Sequence, residues 1–251
     1  MKISIAETSV DAGHQAALRG AGYIRRAIRD QGAARLILAT GASQFEVLKA
    51  LVACEDIDWS KCTVFHLDEY IGLPRSHRAS FVNYLNARFV SQVPGLGHFE
   101  AIDGEAGDVE AEITRLNTTL STEPIDVAFV GIGENGHLAF NDPPADFETT
   151  APFLRVSLDE PCRRQQVNEG WFDTMADVPA EALTMSIRQI MAAKAIVCTV
   201  QDQRKARAVK NAVEGPVSNL CPASILQEHA DATLILDDAA ATELSPGARN
   251  G

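Results

Sequence analysis

I-D-V-A-F-V-G-I-G-E-N-G-H-L-A-F-N-D, running from Ile125 to Asp142, is the stretch that decides how this chain reads. Val127 to Val130 is an apolar run of the length and kind expected for a buried parallel strand. The run breaks into three glycines, Gly131, Gly133 and Gly136. Glycine adopts backbone angles that other residues avoid and lets a ligand approach the main chain closely, so Gly133 counts as a candidate binding residue. His137 ends the turn, with Asn135 and Asp142 on either side as groups able to hold the imidazole in one tautomer. A strand spilling into a glycine turn that carries a titratable side chain is where open α/β sheets place their ligands. The pattern G-x-G-x-x-G also matches a dinucleotide fingerprint. That fingerprint opens a long helix in a first βα unit, whereas Pro143-Pro144 follows here within a few residues, past mid-chain.

On both sides of this stretch, apolar runs alternate with helical patterns. Strands are expected at residues 2–6, 36–39, 63–67, 99–102, 127–130, 153–158, 183–187, 195–200 and 232–236. Helices are expected at 10–31, 45–54, 79–90, 109–120, 163–172, 204–213 and 239–244. The alternation predicts an α/β fold, a Rossmann-like three-layer αβα arrangement with a mostly parallel central sheet. No composition shift marks a boundary, so residues 1–251 read as a single domain. Residues 245–251 are small and polar, and disorder is expected there.

The 251 residues carry a formal net charge of −12 and are 46% hydrophobic. Such an acidic chain is a poor general partner for nucleic acid or an anionic membrane, which need clustered Lys and Arg. A small phosphorylated ligand needs only a local nest of N–H groups and one or two cations. Cys54, Cys62, Cys162, Cys198 and Cys221 include no C-x-x-C pair, which suggests reduced thiols in a cytoplasmic setting. The N-terminus reads as a strand, not a signal peptide, and no apolar run approaches the roughly 18 residues of a membrane span.

Three further places carry candidate chemistry. Thr40-Gly41-Ala42-Ser43 lies between a strand and a helix, where backbone N–H groups and the helix dipole suit an anion; Ser43 is also a plain N-cap candidate. Lys205, after a later strand, is placed to add a point charge to the same anion. Asp68 and Glu69 follow an apolar run directly. Adjacent acids in a loop are usually just solvated, but at the end of a parallel strand one of them reaches the edge that carries His137. A carboxylate in that cleft can act as a base for a proton alpha to a carbonyl or imine.

F-H-L-D-E-Y-I-G-L-P (Phe65 to Pro74), G-I-G-E-N-G-H-L-A-F-N-D-P (Gly131 to Pro143), T-G-A-S (Thr40 to Ser43) and R-K-A-R-A-V-K-N-A-V-E-G (Arg204 to Gly215) together resemble the glucosamine-6-phosphate deaminase family. The resemblance implies conversion of an amino-sugar 6-phosphate to a ketose 6-phosphate with loss of ammonia. It implies Asp68 as the base moving a proton between C2 and C1, with Glu69 beside it. It implies His137, supported by Asn135 and Asp142, as the group that opens the sugar ring. The T-G-A-S loop and Lys205 are implied to hold the phosphate. No metal or organic cofactor is implied, and a homo-oligomer is compatible with it.

The chain departs from the family pattern in three ways. Asn135 stands where the family usually has Asp, and Asp142 where it usually has Glu. Gly170, in N-E-G-W-F, stands where the family usually has a phosphate-contacting arginine; Arg163 or Arg164 on the same helix is the expected substitute. The loop also continues as T-G-A-S-Q. Two alternatives stay open. The related 6-phosphogluconolactonases share the glycine turn and histidine but usually continue A-S-L-F-P. A non-catalytic sugar-phosphate sensor is the other.

Overall fold

The computed structural model describes residues 1–249 of the chain. In order they form β1 (Lys2–Ala6), α1 (Ser9–Gln31), β2 (Ala34–Leu38), α2 (Phe45–Val52), β3 (Cys62–His66), β4 (Asp68–Tyr70), α3 (Phe81–Arg88), β5 (His98–Glu100) and α4 (Val109–Leu120). There follow β6 (Val127–Val130), β7 (Phe153–Ser157), α5 (Glu160–Asn168), β8 (Glu181–Met185), α6 (Ile187–Met191), β9 (Ile196–Val200), α7 (Ala206–Glu214), β10 (Ala232–Asp237) and α8 (Pro246–Arg249).

Seven strands build one sheet in the order β1-β10-β9-β6-β2-β3-β5, and every pairing in it is parallel. Its strands are apolar on both sides because both faces are covered. Along β6, Val127 and Phe129 join the core beneath α1 and α2, while Ala128 and Val130 join the core on the opposite face. The same alternation puts Ile37 on one side and Leu36 and Leu38 on the other. This is the expected three-layer arrangement.

α1 starts where the Thr8 hydroxyl accepts the Asp11 N–H at 3.1 Å and stops at left-handed Gly32. Its buried stripe is alanine and glycine apart from Ile24, which brings the helix close to the sheet. Gly20 completes that approach: a Cβ there would stand 1.9 Å from the Phe129 ring.

The order of strands locates the crevice. β2 leads to β3 on one side of the sheet, and β6 leads to β9 and β10 on the other. The loops after β2 and β6 therefore part company at adjacent strand ends, and a topological switch point of this kind opens a cleft. Those two loops are Thr40–Ser43 and Gly131–His137.

A second, antiparallel sheet of order β4-β8-β7 was not anticipated. Asp68-Glu69-Tyr70 does not merely trail from β3 but forms β4, and the expected strand at 183–187 is β8 of this sheet. The helix expected at 163–172 is shifted to Glu160–Asn168: the Asp159 carboxylate accepts the Cys162 N–H at 2.8 Å, Pro161 fits the first turn, and left-handed Gly170 follows its end. No helix spans 239–244. There the Asp237 carboxylate takes the Ala240 N–H at 2.8 Å and the chain runs in turns, with a helical turn only at α8. Of the tail expected to be disordered, Pro246–Arg249 is helical, and residues 250–251 lie outside the described part. No helix among the described residues is long and apolar enough to cross a membrane.

Candidate active site

A cavity of about 580 Å³ opens at the C-terminal ends of β2, β3, β6 and β9. Thr40, Gly41, Ala42, Ser43, Asp68, Gly133, His137 and Lys205 all line it. Residues spread over more than 160 positions of sequence thus meet at one sheet edge.

β4 decides which of the two acids faces the cavity. Successive side chains of a strand point to opposite sides. Asp68 turns to the cavity and Glu69 away from it. Asp68 is 7% exposed, and among the described residues no group donates a hydrogen bond to its carboxylate. Burial therefore pushes the Asp68 carboxyl well above the usual carboxylate range, and the nearby Glu69 charge adds to the rise.

The Glu69 carboxylate accepts the Ser80 hydroxyl at 2.8 Å, the Val82 N–H at 3.0 Å, the Phe81 N–H at 3.2 Å and the Tyr70 N–H at 2.9 Å. It secures the start of α3 and lies outside the lining of the cavity. Its lone pairs are already engaged by the helix N-terminus. Burial still raises its pKa against those four bonds.

His137 is held by the loop it belongs to. Its Nδ1 lies 3.1 Å from Asp142 Oδ1, and that oxygen also accepts the Asn135 Nδ2–H at 2.8 Å. Asn135 Oδ1 in turn accepts the His137 backbone N–H at 3.1 Å. Burial raises the Asp142 pKa, but hydrogen bonds from His137 and Asn135 outweigh it and hold the carboxyl below 3.8. An ionised Asp142 fixes the proton of His137 on Nδ1 and leaves Nε2 to act in the cavity. Asn135 and Asp142 do not line the cavity; they position the imidazole. Gly133 makes room for it: a Cβ there would fall 2.2 Å from Cε1 and 2.3 Å from Nε2.

The Thr40–Ser43 loop runs through a 3-10 turn at Ala42–Gln44 into α2. Neither helical start has a side-chain cap, so the N-cap reading of Ser43 is corrected, and Thr40, Gly41, Ala42 and Ser43 all line the cavity. Gly41 takes φ +94°, which favours glycine, and its carbonyl accepts the Tyr84 hydroxyl of α3 at 2.8 Å. Lys205 sits at the start of α7 with a side chain only 11% exposed. Burial lowers its pKa from 10.5, partly opposed by Glu169 and Glu134.

Neither expected substitute arginine reaches this site. Arg163 donates to the carbonyls of Met175 and Val178 at 2.6 and 2.9 Å, and Arg164 pairs with Glu160 on the surface. The cavity cation beside Lys205 is Arg204, tied to Asp202 at 3.0 Å and facing Glu134 at 3.6 Å. Sequence reasoning also passed over Gln44, Glu169 and Trp171, which line the cavity. Gln44 follows the T-G-A-S loop directly, and Glu169 and Trp171 flank Gly170, so a signal was present at each.

The sequence model of the family described as glucosamine-6-phosphate isomerases/6-phosphogluconolactonase matches residues 7–235. A glucosamine-6-phosphate deaminase of Lactobacillus delbrueckii subsp. bulgaricus is 37% identical over 244 residues, covering 97% of this chain and 100% of that protein. A solved structure described as a monomeric glucosamine-6-phosphate deaminase superposes with a TM-score of 0.87 at 32% identity, covering 96% of this chain and 99% of the other. The 6-phosphogluconolactonase of Trypanosoma brucei shares the fold, with a TM-score of 0.78 at 15% identity over 97% of this chain and 98% of its own. The chain belongs to the glucosamine-6-phosphate isomerase/6-phosphogluconolactonase family.

Proposed function

We propose that this chain is a deaminase that converts glucosamine 6-phosphate and water to fructose 6-phosphate and ammonia. One observation carries the reading: a buried carboxyl without a donor among the described residues (Asp68), a histidine oriented by a carboxylate (His137), and a strand-to-helix loop with a lysine (Thr40–Ser43, Lys205) line the same cavity. The relatives at 32% and 37% identity that cover the chain almost completely are deaminases by name, which supports it further.

Each group has a task in the chemistry. The loop and Lys205 hold the phosphate, and this remote binding fixes the sugar over the reacting groups. His137 Nε2 accepts the proton of the C1 hydroxyl and returns one to the ring oxygen, so the C1–O5 bond breaks and the aldehyde forms. Asp68 then takes the proton from C2, the electrons pass to the carbonyl, the C2 ammonium gives a proton to O1, and an enolamine results. Asp68 returns its proton to C1, which gives the protonated C2 imine. Water adds to that carbon and ammonia leaves. A carboxyl with a raised pKa is a stronger base once ionised, and the C2 ammonium of the arriving substrate favours the ionised form.

The assay is direct. The chain is incubated with glucosamine 6-phosphate and, separately, with 6-phosphogluconolactone, and ammonia and acid release are measured. Ammonia from the first is the expected result. Acid release from the second alone identifies a lactonase, and binding of sugar phosphates without turnover identifies a sensor.

A further inference from the structure

The anion end of the cavity is not purely basic. Asp68, Glu169, Asp202 and Asp237 line the cavity against two basic side chains, Arg204 and Lys205. Asp202 is paired to Arg204, and Asp237 accepts the Asp202 and Ala240 N–H groups. Glu169 is different. Its side chain is 17% exposed and stands 4.0 Å from Lys205 Nζ. Gln165 Nε2 donates to one of its oxygens at 2.8 Å and the Trp171 indole N–H to the other at 3.2 Å.

We propose that Glu169 is a built-in competitor for the substrate's phosphate, pairing with Lys205 and setting the affinity for phosphorylated ligands. The proposal rests on the deaminase reading for the identity of the ligand and on the geometry alone for the competition. A phosphate seated between the Thr40–Ser43 loop and Lys205 meets a second anion on the same lysine. Two anions cannot share one largely buried cation without repulsion, so the carboxylate must turn away as the phosphate enters. The local structure permits this. Glu169 caps the end of α5, and the next residue, Gly170, is left-handed, with open space for 4 Å around the place a Cβ would take. Of α5 only Cys162 and Gln166 are buried, and its last turn adds one partly buried apolar side chain, Val167, so displacing that turn gives up little apolar contact. Gln165 and Trp171 hold the carboxylate through neutral donors, which orient it without cancelling its charge.

The arrangement makes Glu169 a determinant of specificity. An anion must carry more charge than a carboxylate to displace it from Lys205, which favours a phosphate dianion over sugar acids or unphosphorylated sugars. Removing the charge relaxes that demand.

The test compares the wild-type chain with Glu169→Gln. Binding of inorganic phosphate is measured by calorimetry and KM for glucosamine 6-phosphate by ammonia release. Glu169→Gln is expected to tighten phosphate binding and lower KM by about tenfold, as expected for one unit charge removed beside a partly screened cation. In Lys205→Ala the gain from Glu169→Gln should vanish, because the two anions no longer contend for one cation. Unchanged or weaker phosphate binding in Glu169→Gln overturns the proposal and makes the carboxylate a ligand of the sugar instead. Failure of every variant to bind phosphate also overturns it. A chain that binds phosphate but releases no ammonia contradicts the deaminase reading and leaves the competition standing.

Discussion

A strand turns successive side chains to opposite faces, and at Asp68 and Glu69 that alternation gives two neighbouring carboxyl groups separate work. Among the described residues Asp68 has no donor and lies in the cavity; Glu69 has four and lies under α3. The sequence showed that an acid would reach the sheet edge, but the parity of β4 could not be read because its partner, β8, lies more than a hundred residues downstream. Gly133 was legible as a glycine a ligand can approach; that it accommodates the His137 ring emerges only once the loop is folded. Gly133→Ala should push the imidazole aside and lower kcat by about a hundredfold, the order expected for an ångström-scale displacement of a catalytic group. Steady-state ammonia release checks this. The Asn135 and Asp142 departures have a physical reading: the shorter acid meets the imidazole directly, and the amide donates to it where a second carboxylate would repel.

Among the elements, the unforeseen antiparallel sheet matters most. β8 anchors the segments that carry Asp68 and His137: the Met185 N–H donates to the Leu67 carbonyl at 2.7 Å, and the Asn141 amide donates to the Met185 carbonyl at 2.9 Å. Thr184 Oγ1 accepts the Phe140 N–H at 3.0 Å. Asp68 and His137 are thus fixed by a strand that contributes neither. The period-2 pattern at 183–187 announced a strand, yet short strands in a long chain carry no mark of which sheet they join. α3 is the second link: Glu69 holds its start, and Tyr84 on it holds the Gly41 carbonyl. Glu69→Ala should leave the first N–H groups of α3 and the Ser80 hydroxyl unpaired and cost about 3 kcal/mol of stability. A urea midpoint shift with unchanged slope measures it.

Over the whole molecule, the parallel sheet and its switch point were readable from alternating apolar runs, because regular βα units leave few ways to connect them. The cavity's acid–base balance was not, since Glu169 and Arg204 acquire meaning only beside Lys205. That balance predicts the pH profile. Asp68 has its pKa raised by burial, so the free enzyme regains its base only well above pH 3.8, and kcat/KM should climb with pH through that range. Lys205 has its pKa lowered by burial, so it sheds its proton before pH 10.5, and KM should rise on the alkaline side ahead of an exposed lysine's titration. Asp142 has its pKa lowered despite burial, so the stability it gives is present above pH 3.8 and is lost only as pH falls through its lower folded value.

The most direct measurement is ammonia release from glucosamine 6-phosphate by the wild-type chain and by Asp68→Asn, with substrate binding followed by calorimetry on the same samples. The wild type should release ammonia and form fructose 6-phosphate. Asp68→Asn should still bind the substrate while turnover falls by about a thousandfold, as for loss of a general base. Undiminished turnover in Asp68→Asn would contradict the account.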